Sequence, residues 1–231
     1  IQFVLAQYNP AGELMDEPGI NRVTVEEVTE GTPPDKYHRF LSQNNAIWPH
    51  EKYLNIWLMS ETKYPKFWNS ITKLCVPKYR LGSETLPGLS LPPVPSTWVP
   101  KVEQIGILFR MSTFQYFQRS IDATAERELV TCIGNYLGLF DTWKINNSNV
   151  NDQCNDTFAY GIVNNNGSLG TNSSWSKEVG SYRFLSENIM DDPTGTHRSV
   201  SKDQALRMYW VLKNCAGRSM WQSDFALTGK E

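Results

Sequence analysis

The residues most informative about the fold are Thr131-Cys132-Ile133-Gly134-Asn135-Tyr136-Leu137-Gly138-Leu139-Phe140-Asp141-Thr142. They close a segment, Ser120 to Leu139, in which apolar side chains recur every three or four residues. That period is typical of a helix with one buried face. Gly138 suits the end of such a helix because glycine adopts left-handed backbone angles without strain. The pattern therefore predicts a central helix that ends in a turn at Gly138.

The same residues fit the frame of a zinc-protease motif but lack its chemical groups. The motif H-E-x-x-H-x-x-G-x-x-H supplies three imidazoles for the metal and a glutamate as general base. Gly138 falls on the glycine of the motif. The histidine positions hold Thr131, Asn135 and Asp141, and the glutamate position holds Cys132. The sequence thus predicts a protease scaffold without metal ligands or base.

Further segments resemble one protein family, in the order in which that family carries them. Asn188-Ile189-Met190-Asp191 resembles the methionine turn of the metzincin proteases, and a predicted helix from Lys202 to Asn214 follows it. Upstream, residues 52–58 resemble the strand before the active-site helix, and residues 1–12 and 19–23 resemble an earlier strand and turn. The chain resembles the pappalysin-like branch of the metzincins, in the form of zinc-metalloprotease-like lipoproteins of Gram-negative gut bacteria.

The resemblance implies an α+β fold of the metzincin (zincin) type, with two lobes and a twisted mixed sheet. A single domain is expected over residues 1–231. Residues 1–138 would form the upper lobe with the active-site helix, and residues 139–231 the lower lobe with the methionine turn and the C-terminal helix. Family members carry another strand and a long helix before the part that matches Ile1, and these elements are not in this sequence.

The resemblance also implies an inactive site. Thr131 and Asn135 keep the i, i+4 spacing of two helical ligands but supply only weak, neutral oxygen donors. Asp141 is a single carboxylate, and Cys132 lies about 100° round the helix from the ligand positions. The family's tyrosine, two residues after the methionine, is Asp192 here. We predict no catalytic residue, no metal and no cofactor.

Two residues keep structural roles in this interpretation. Gly138 would turn the chain at the end of the central helix, and Met190 would lie beneath the former metal position. His38, His50 and His197 lie far apart in the sequence without metal-ligand spacing, so we predict surface or hydrogen-bonded core histidines.

Functions from different classes remain open. The first is a catalytically inactive metalloprotease homologue that binds a peptide or extended protein segment by strand addition along residues 102–109. The alternative is an active metallopeptidase with a non-standard metal site that includes Asp141. A third is a purely structural surface lipoprotein with a filled cleft. A cysteine protease built on Cys132 would need His197 as its base.

Composition narrows the partners. The net charge of −2 over 231 residues offers no basic field for nucleic acid or an anionic membrane. No apolar run reaches the roughly 18–20 residues needed to span a bilayer. The N-terminus does not read as a signal peptide. The resemblance implies an extracytoplasmic location, in the periplasm or at the cell surface, and allows a lipid anchor on a segment before Ile1. Neither the ligand nor the oligomeric state follows from the sequence.

The four cysteines allow three disulfide pairings, and no two of them have CxxC spacing. They are Cys75, Cys132, Cys154 and Cys215. Because the resemblance places Cys154 and Cys215 in the lower lobe, we favour a disulfide between them. Four buried thiols are the alternative.

Local patterns predict the remaining elements. Strands are expected at 1–7, 21–28, 53–60 and 102–109, and a short helix at 35–44. Six prolines in residues 75–100 predict a surface loop, and residues 144–180 also have loop composition. Four Asn-x-Ser/Thr sites in that second loop are interpreted as chance occurrences. Ser201 and Gln204 have the spacing of a capping box at the start of the last helix.

Overall fold

The computed structural model describes most of both ends of the chain and several central segments. The described residues are 1–23, 41–42, 44–59, 106–110, 124–145, 152–158, 160–162, 176–179, 181–185, 187–191, 197–214 and 218–230. Several predictions lie outside them, namely those for residues 24–28 and 102–105 of two strands, for most of 35–44, for the proline-rich segment 75–100, and for His38, Cys75, Asp192 and Cys215.

The described segments contain six short strands and four helical elements with known bounds, and residues 41–42 are helical as well. In chain order these are β1 (Ile56–Met59), β2 (Ile107–Arg110), α1 (Thr124–Tyr136), β3 (Trp143–Ile145), β4 (Tyr160–Ile162), β5 (Ser176–Val179), β6 (Tyr182–Leu185), α2 (Lys202–Asn214), a 3₁₀ helix (Ser219–Gln222) and α3 (Phe225–Thr228). The strands pair two by two. β1 and β2 are parallel, β3 and β4 are parallel, and β5 and β6 form an antiparallel pair.

The chain forms two compact units. The first unit comprises residues 1–73, 99–112 and 212–231, and the second comprises 74–98 and 113–211. The central helix and the methionine turn, which the sequence interpretation assigns to different lobes, both belong to the second unit.

The N-terminal segment of the first unit is not the predicted strand. The amides of Gln7 and Tyr8 both donate to the carbonyl of Ala226 in α3, and Tyr8 forms only an isolated bridge with Leu14. Residues 1–5 are exposed and have no regular structure. A strand needs a partner along its length, and here the backbone bonds are confined to residues 6–8, with Ala226, Met15 and Gly19 as partners. The prediction of a strand at 1–7 was therefore wrong.

In the first unit, β1 lies within the predicted strand at 53–60, and β2 overlaps the predicted strand at 102–109 but continues to Arg110. Ile56 pairs with Ile107 in parallel register, and the amide of Ile107 donates to the carbonyl of Asn55 at 2.8 Å. Trp57 and Ile107 are buried, whereas Ile56 and Leu58 are 39% and 40% exposed. The first strand therefore buries one face rather than both.

Helix α2, which belongs to the second unit as far as Val211, has the bounds that the sequence predicts, Lys202 to Asn214. The amide of Gln204 donates to Ser201 Oγ at 3.2 Å, and the amide of Ser201 donates to Gln204 Oε1 at 3.0 Å. This reciprocal pair is a capping box, so that prediction is confirmed. Both bonds satisfy amides that the first turn of a helix leaves without intrahelical partners.

Candidate functional site

The central helix ends in a Schellman motif. The amide of Gly138 donates to the carbonyl of Asn135 at 2.9 Å, and the amide of Leu139 donates to the carbonyl of Gly134 at 3.0 Å. Gly138 has φ +89°, in the left-handed region. Leu139 is buried, and a side chain at Gly134 would touch it. The glycine thus reverses the chain while the orphan carbonyls of the last turn stay bonded.

Met190 packs directly against the backbone of this helix. Its side chain is fully buried. A Cβ atom built on Gly134 would lie 2.5 Å from Met190 Sδ and 3.3 Å from Ile189 Cδ1. Real atoms do not approach so closely, so the turn reaches its position because residue 134 has no side chain. The zinc-protease pattern leaves position 134 unspecified, and its role appears only in the packing.

The turn at residues 188–191 is held by its own side chains and by Thr142. Asn188 Oδ1 accepts from the amide of Met190 at 2.9 Å, and Asp191 Oδ2 accepts from the amide of Asn188 at 2.9 Å. The Thr142 hydroxyl donates to Asp191 Oδ1 at 2.6 Å, and the Thr142 amide donates to the Met190 carbonyl at 3.1 Å. The side chains of Asn188 and Asp191 therefore stabilise the turn.

A buried amide pair joins the turn to α2. Asn188 Nδ2 donates to Gln204 Oε1 at 2.7 Å, and Gln204 Nε2 donates to Asn188 Oδ1 at 3.1 Å. Gln204 is fully buried and also makes both bonds of the capping box. One side chain thus starts the helix and fixes the turn, which couples the two elements.

Thr131, the first ligand position of the motif, makes a direct contact with the turn. Its hydroxyl donates to the carbonyl of Ile189 at 2.8 Å. His197 Nδ1 lies 3.3 Å from the hydroxyl oxygen of Thr131. A hydroxyl has one hydrogen, and the shorter bond to Ile189 uses it, so the ring nitrogen of His197 must be the donor to Thr131. The geometry therefore assigns the proton to Nδ1.

The other positions of the motif lie in different environments. Cys132 and Asn135 are buried in the second half of α1, whereas Asp141 is exposed. Asp192 lies outside the described residues. No three His, Cys, Asp or Glu side chains within the described segments are placed to hold a metal ion. The hydroxyl of Thr131 and the neutral amide of Asn135 do not form a zinc ligand set, which requires imidazole, thiolate or carboxylate donors.

His197 is the neighbour that sequence reasoning did not place beside Thr131. It is 66 positions further along the chain and has φ +52°, a left-handed angle that is uncommon for a residue other than glycine. No motif spacing connects the two residues. His50, by contrast, lies 3.0 Å from the carboxylate of Glu51 in the first unit.

A second cluster of buried polar residues includes Cys154 and Arg207. The Arg207 guanidinium is fully buried and donates to the carbonyls of Asp152 and Gln153 at 2.9 and 3.1 Å. Burial lowers the pKa of Arg207 and raises the pKa of the Asp152 carboxyl, despite a 2.6 Å hydrogen bond from Thr157. In this part of the described chain, Arg207 Nε has no hydrogen-bond partner.

The Cys154–Cys215 disulfide that we favoured is not formed. Cys154 is a free, buried thiol, and Cys132 is also a buried thiol. The backbone amide of Cys154 donates to Asp152 Oδ1 at 3.2 Å, which keeps Cys154 beside that carboxylate. The prediction relied on both cysteines lying in the same lobe. That is not sufficient, because a disulfide requires the two Cβ atoms to lie at a suitable distance and in a suitable direction.

Cys154 gives the protein a specific alkaline sensitivity. Burial, and secondly the Asp152 carboxylate, raises the pKa of the Cys154 thiol from 9.0 to about 12. At pH values between 9.0 and about 12, the Cys154 thiol is deprotonated in the unfolded chain but stays protonated in the folded chain. The free energy of unfolding therefore falls as pH rises through this range, by up to about 1.4 kcal/mol per pH unit. We expect Cys154→Ala to have a flatter dependence than wild type in urea unfolding at pH 8 to 10.5. Parallel curves for the two proteins would contradict this assignment.

Comparison with protein families, with curated proteins and with solved structures finds no match to this chain. None of the helices in the described part of the chain is both long enough and apolar enough to cross a bilayer.

Proposed function

We propose that this protein is a catalytically inactive metalloprotease homologue that binds a peptide or an extended protein segment. One observation carries the first half of the proposal. At the position where the resemblance implies the first metal ligand, the Thr131 hydroxyl bonds directly to the carbonyl of Ile189. The helix and the turn beneath it are thus joined by protein atoms where the motif would use a metal.

The chemistry of the ligand positions supports this half further. A catalytic zinc site needs three strong donors and one open position for water. Thr131 already uses its hydrogen on Ile189 and accepts from His197. Met190 fills the space against Gly134, and side-chain hydrogen bonds from Thr142 and Asn188 hold the turn. These contacts between the helix and the turn support a protease-like scaffold without metal chemistry.

The second half of the proposal concerns the partner. An extended segment is the ligand that a protease-like scaffold accommodates most directly, by strand addition. The sequence interpretation assigns this role to residues 102–109, and the structure describes β2 at Ile107–Arg110, paired with β1 along one edge. Strand addition would use the opposite edge of β2. An extracytoplasmic location belongs to the same proposal and rests on the resemblance alone.

Metal analysis tests the inactive site. The purified, untagged protein is dialysed against zinc and then against buffer, and bound metals are measured by plasma mass spectrometry. We expect less than about a tenth of an equivalent, and a melting temperature that a chelator does not change, because folding does not depend on metal ligation. A zinc-dependent metzincin treated in parallel is the control. Nearly one retained equivalent would instead support an active metallopeptidase with a non-standard site.

Binding of extended peptides tests the other half. The metal-free protein is titrated with a library of unstructured peptides, and binding is measured by fluorescence anisotropy. Saturable binding without cleavage is the expected result. If no peptide binds, the binding role is wrong and a purely structural role takes its place. Cleavage of any peptide would contradict the inactive site directly.

A further inference from the structure

The guanidinium of Arg207 lies fully buried inside the second unit. Two of its nitrogens donate to the backbone carbonyls of Asp152 and Gln153, at 2.9 and 3.1 Å. The group also lies over the ring of Phe140, with Arg207 Cζ 5.2 Å from the ring centroid. Backbone oxygens and an aromatic ring thus replace much of the water that surrounds a guanidinium in solution.

The third nitrogen of the guanidinium, Arg207 Nε, has no hydrogen-bond partner among the described residues. A buried donor that makes no hydrogen bond loses its hydration without compensation, and the loss is largest for a charged group. Buried donors in native proteins therefore nearly always have a partner, which is either a protein atom or an ordered water molecule. Arg207 Nε is thus a position where the fold calls for an acceptor.

The side-chain carboxylate of Asp152 is a buried group of opposite charge in the same region. Asp152 is 2% exposed, and its backbone carbonyl already accepts from Arg207. Burial lowers the pKa of Arg207 and raises the pKa of Asp152, and the charge of each residue opposes that shift in the other. Within the described part of the chain, however, no ion pair or direct hydrogen bond joins the guanidinium to this carboxylate. Two polar groups that interact across such a separation are commonly bridged by water.

The charges around Arg207 Nε favour a neutral molecule over an ion. An anion would be repelled by the carboxylates of Asp152 and Asp203, which both interact electrostatically with Arg207, and a cation would be repelled by the guanidinium. The oxygens of Asp152 accept one bond each, from the amide of Cys154 at 3.2 Å and from the hydroxyl of Thr157 at 2.6 Å. A carboxylate oxygen can accept a second bond. Water is the smallest neutral molecule that accepts from Nε–H and donates to a carboxylate.

We propose that one internal water molecule bridges Arg207 Nε and the side-chain carboxylate of Asp152. The water accepts from Nε–H and donates to the carboxylate, so that the buried cation and the buried anion belong to one hydrogen-bonded chain. This bridge joins residues 152–157 to α2 about one helical turn beyond Gln204, the residue that fixes the turn at 188–191. The inference does not depend on the proposed function.

Nuclear magnetic resonance of the ¹⁵N-labelled protein tests for this water directly. The Nε–H resonance of Arg207 is assigned by its loss in Arg207→Lys, and it should show a nuclear Overhauser cross-peak with water of the sign given by a long-lived, protein-bound molecule. The matched control is Arg22, whose exposed Nε bonds to Glu17 in the first unit and should show no such cross-peak. An Arg207 Nε–H that is protected from exchange but has no contact with long-lived water would overturn the proposal.

Asp152→Ala tests the other end of the bridge. Without the carboxylate the water loses its acceptor, so the Arg207 Nε–H should exchange with solvent at least about tenfold faster. Asp16→Ala, which removes an exposed carboxylate of the first unit, should leave that rate unchanged. Equal rates in the wild type and Asp152→Ala would show that Asp152 is not the acceptor.

Two further measurements on the wild type keep the test decisive. If Asp152→Ala does not fold, the water cross-peak of the wild-type Arg207 Nε–H still supports or overturns the bridge. Titration with sodium chloride at constant ionic strength separates water from an anion. A saturable shift of the Arg207 Nε resonance would identify chloride as the occupant and overturn the proposal, whereas an unchanged resonance is the expected result.

Discussion

Gly134→Ala is expected to destabilise the protein by about 1–3 kcal/mol when Met190 is present, and to stabilise it by up to about 1 kcal/mol in a Met190→Ala background. The new Cβ would lie 2.5 Å from Met190 Sδ, and Met190 is fully buried, so it cannot move into solvent. Without the methionine side chain, the remaining close neighbour is the flexible end of Ile189 at 3.3 Å. The better helix propensity of alanine then decides the sign.

Urea unfolding of the wild type, Gly134→Ala, Met190→Ala and the double variant measures the coupling energy between residues 134 and 190. Met190→Ala alone should cost about 2–5 kcal/mol, because it leaves a cavity in a closed part of the core. Met190→Leu keeps the volume and should cost less than about 1.5 kcal/mol. The change of sign at residue 134 is the decisive result. If Gly134→Ala has the same effect in both backgrounds, the turn does not pack on the helix as described.

Gln204→Met is expected to lower the free energy of unfolding by about 2–4 kcal/mol, although methionine has a similar size and a good helix propensity. The change removes the acceptor of the Ser201 amide and both bonds to Asn188. Asn188 Nδ2 and the Ser201 amide lose the acceptor that they share, beside a fully buried position, where an unmade bond costs most.

Gln222→Met is the matched control because Gln222 is exposed on the 3₁₀ helix. That change should alter stability by less than about 0.5 kcal/mol. A double-mutant cycle with Asn188→Ala should give a coupling energy of about 1–3 kcal/mol. Equal losses at residues 204 and 222 would contradict a structural role for the buried amide pair.

Both results bear on the proposed function. If packing at Gly134 and hydrogen bonds at Gln204 hold the turn beneath the helix, these substitutions should change stability while a chelator does not. A protein whose fold depends on bound metal would also lose stability on chelation. The effect of the chelator on the free energy of unfolding therefore distinguishes an inactive scaffold from a metal-dependent one.

Several features could be predicted because they depend on residues close together in the sequence. The capping box at Ser201 and Gln204 needs only a spacing of three residues. The turn at Gly138 needs a glycine after a periodic helix, and its φ of +89° is such a local angle. The positions of β1 and β2 within apolar runs are of the same kind. In each case the energy comes from the backbone and its nearest neighbours.

Other features could not be predicted, for reasons that are also physical. Residues 1–7 have strand composition, but the amide of Gln7 donates to the carbonyl of Ala226, and no local pattern identifies a contact so distant in sequence. The prediction of a Cys154–Cys215 disulfide was wrong because the pairing of cysteines depends on their positions in three dimensions. The contact between His197 and Thr131 likewise joins residues that lie 66 positions apart in the sequence, and no motif spacing predicts it.

The amino-acid sequence by itself determined the central helix with its glycine end, the capped last helix and the absence of imidazole at the motif positions, because each depends on residue identity and short spacing. The tertiary structure alone decided that Thr131 bonds to Ile189, that Gly134 admits Met190, and that Arg207 bonds to the carbonyls of residues 152 and 153. Those contacts join residues 54 to 58 positions apart, and only the packing of the whole unit selects them among the many pairings that the side chains would allow.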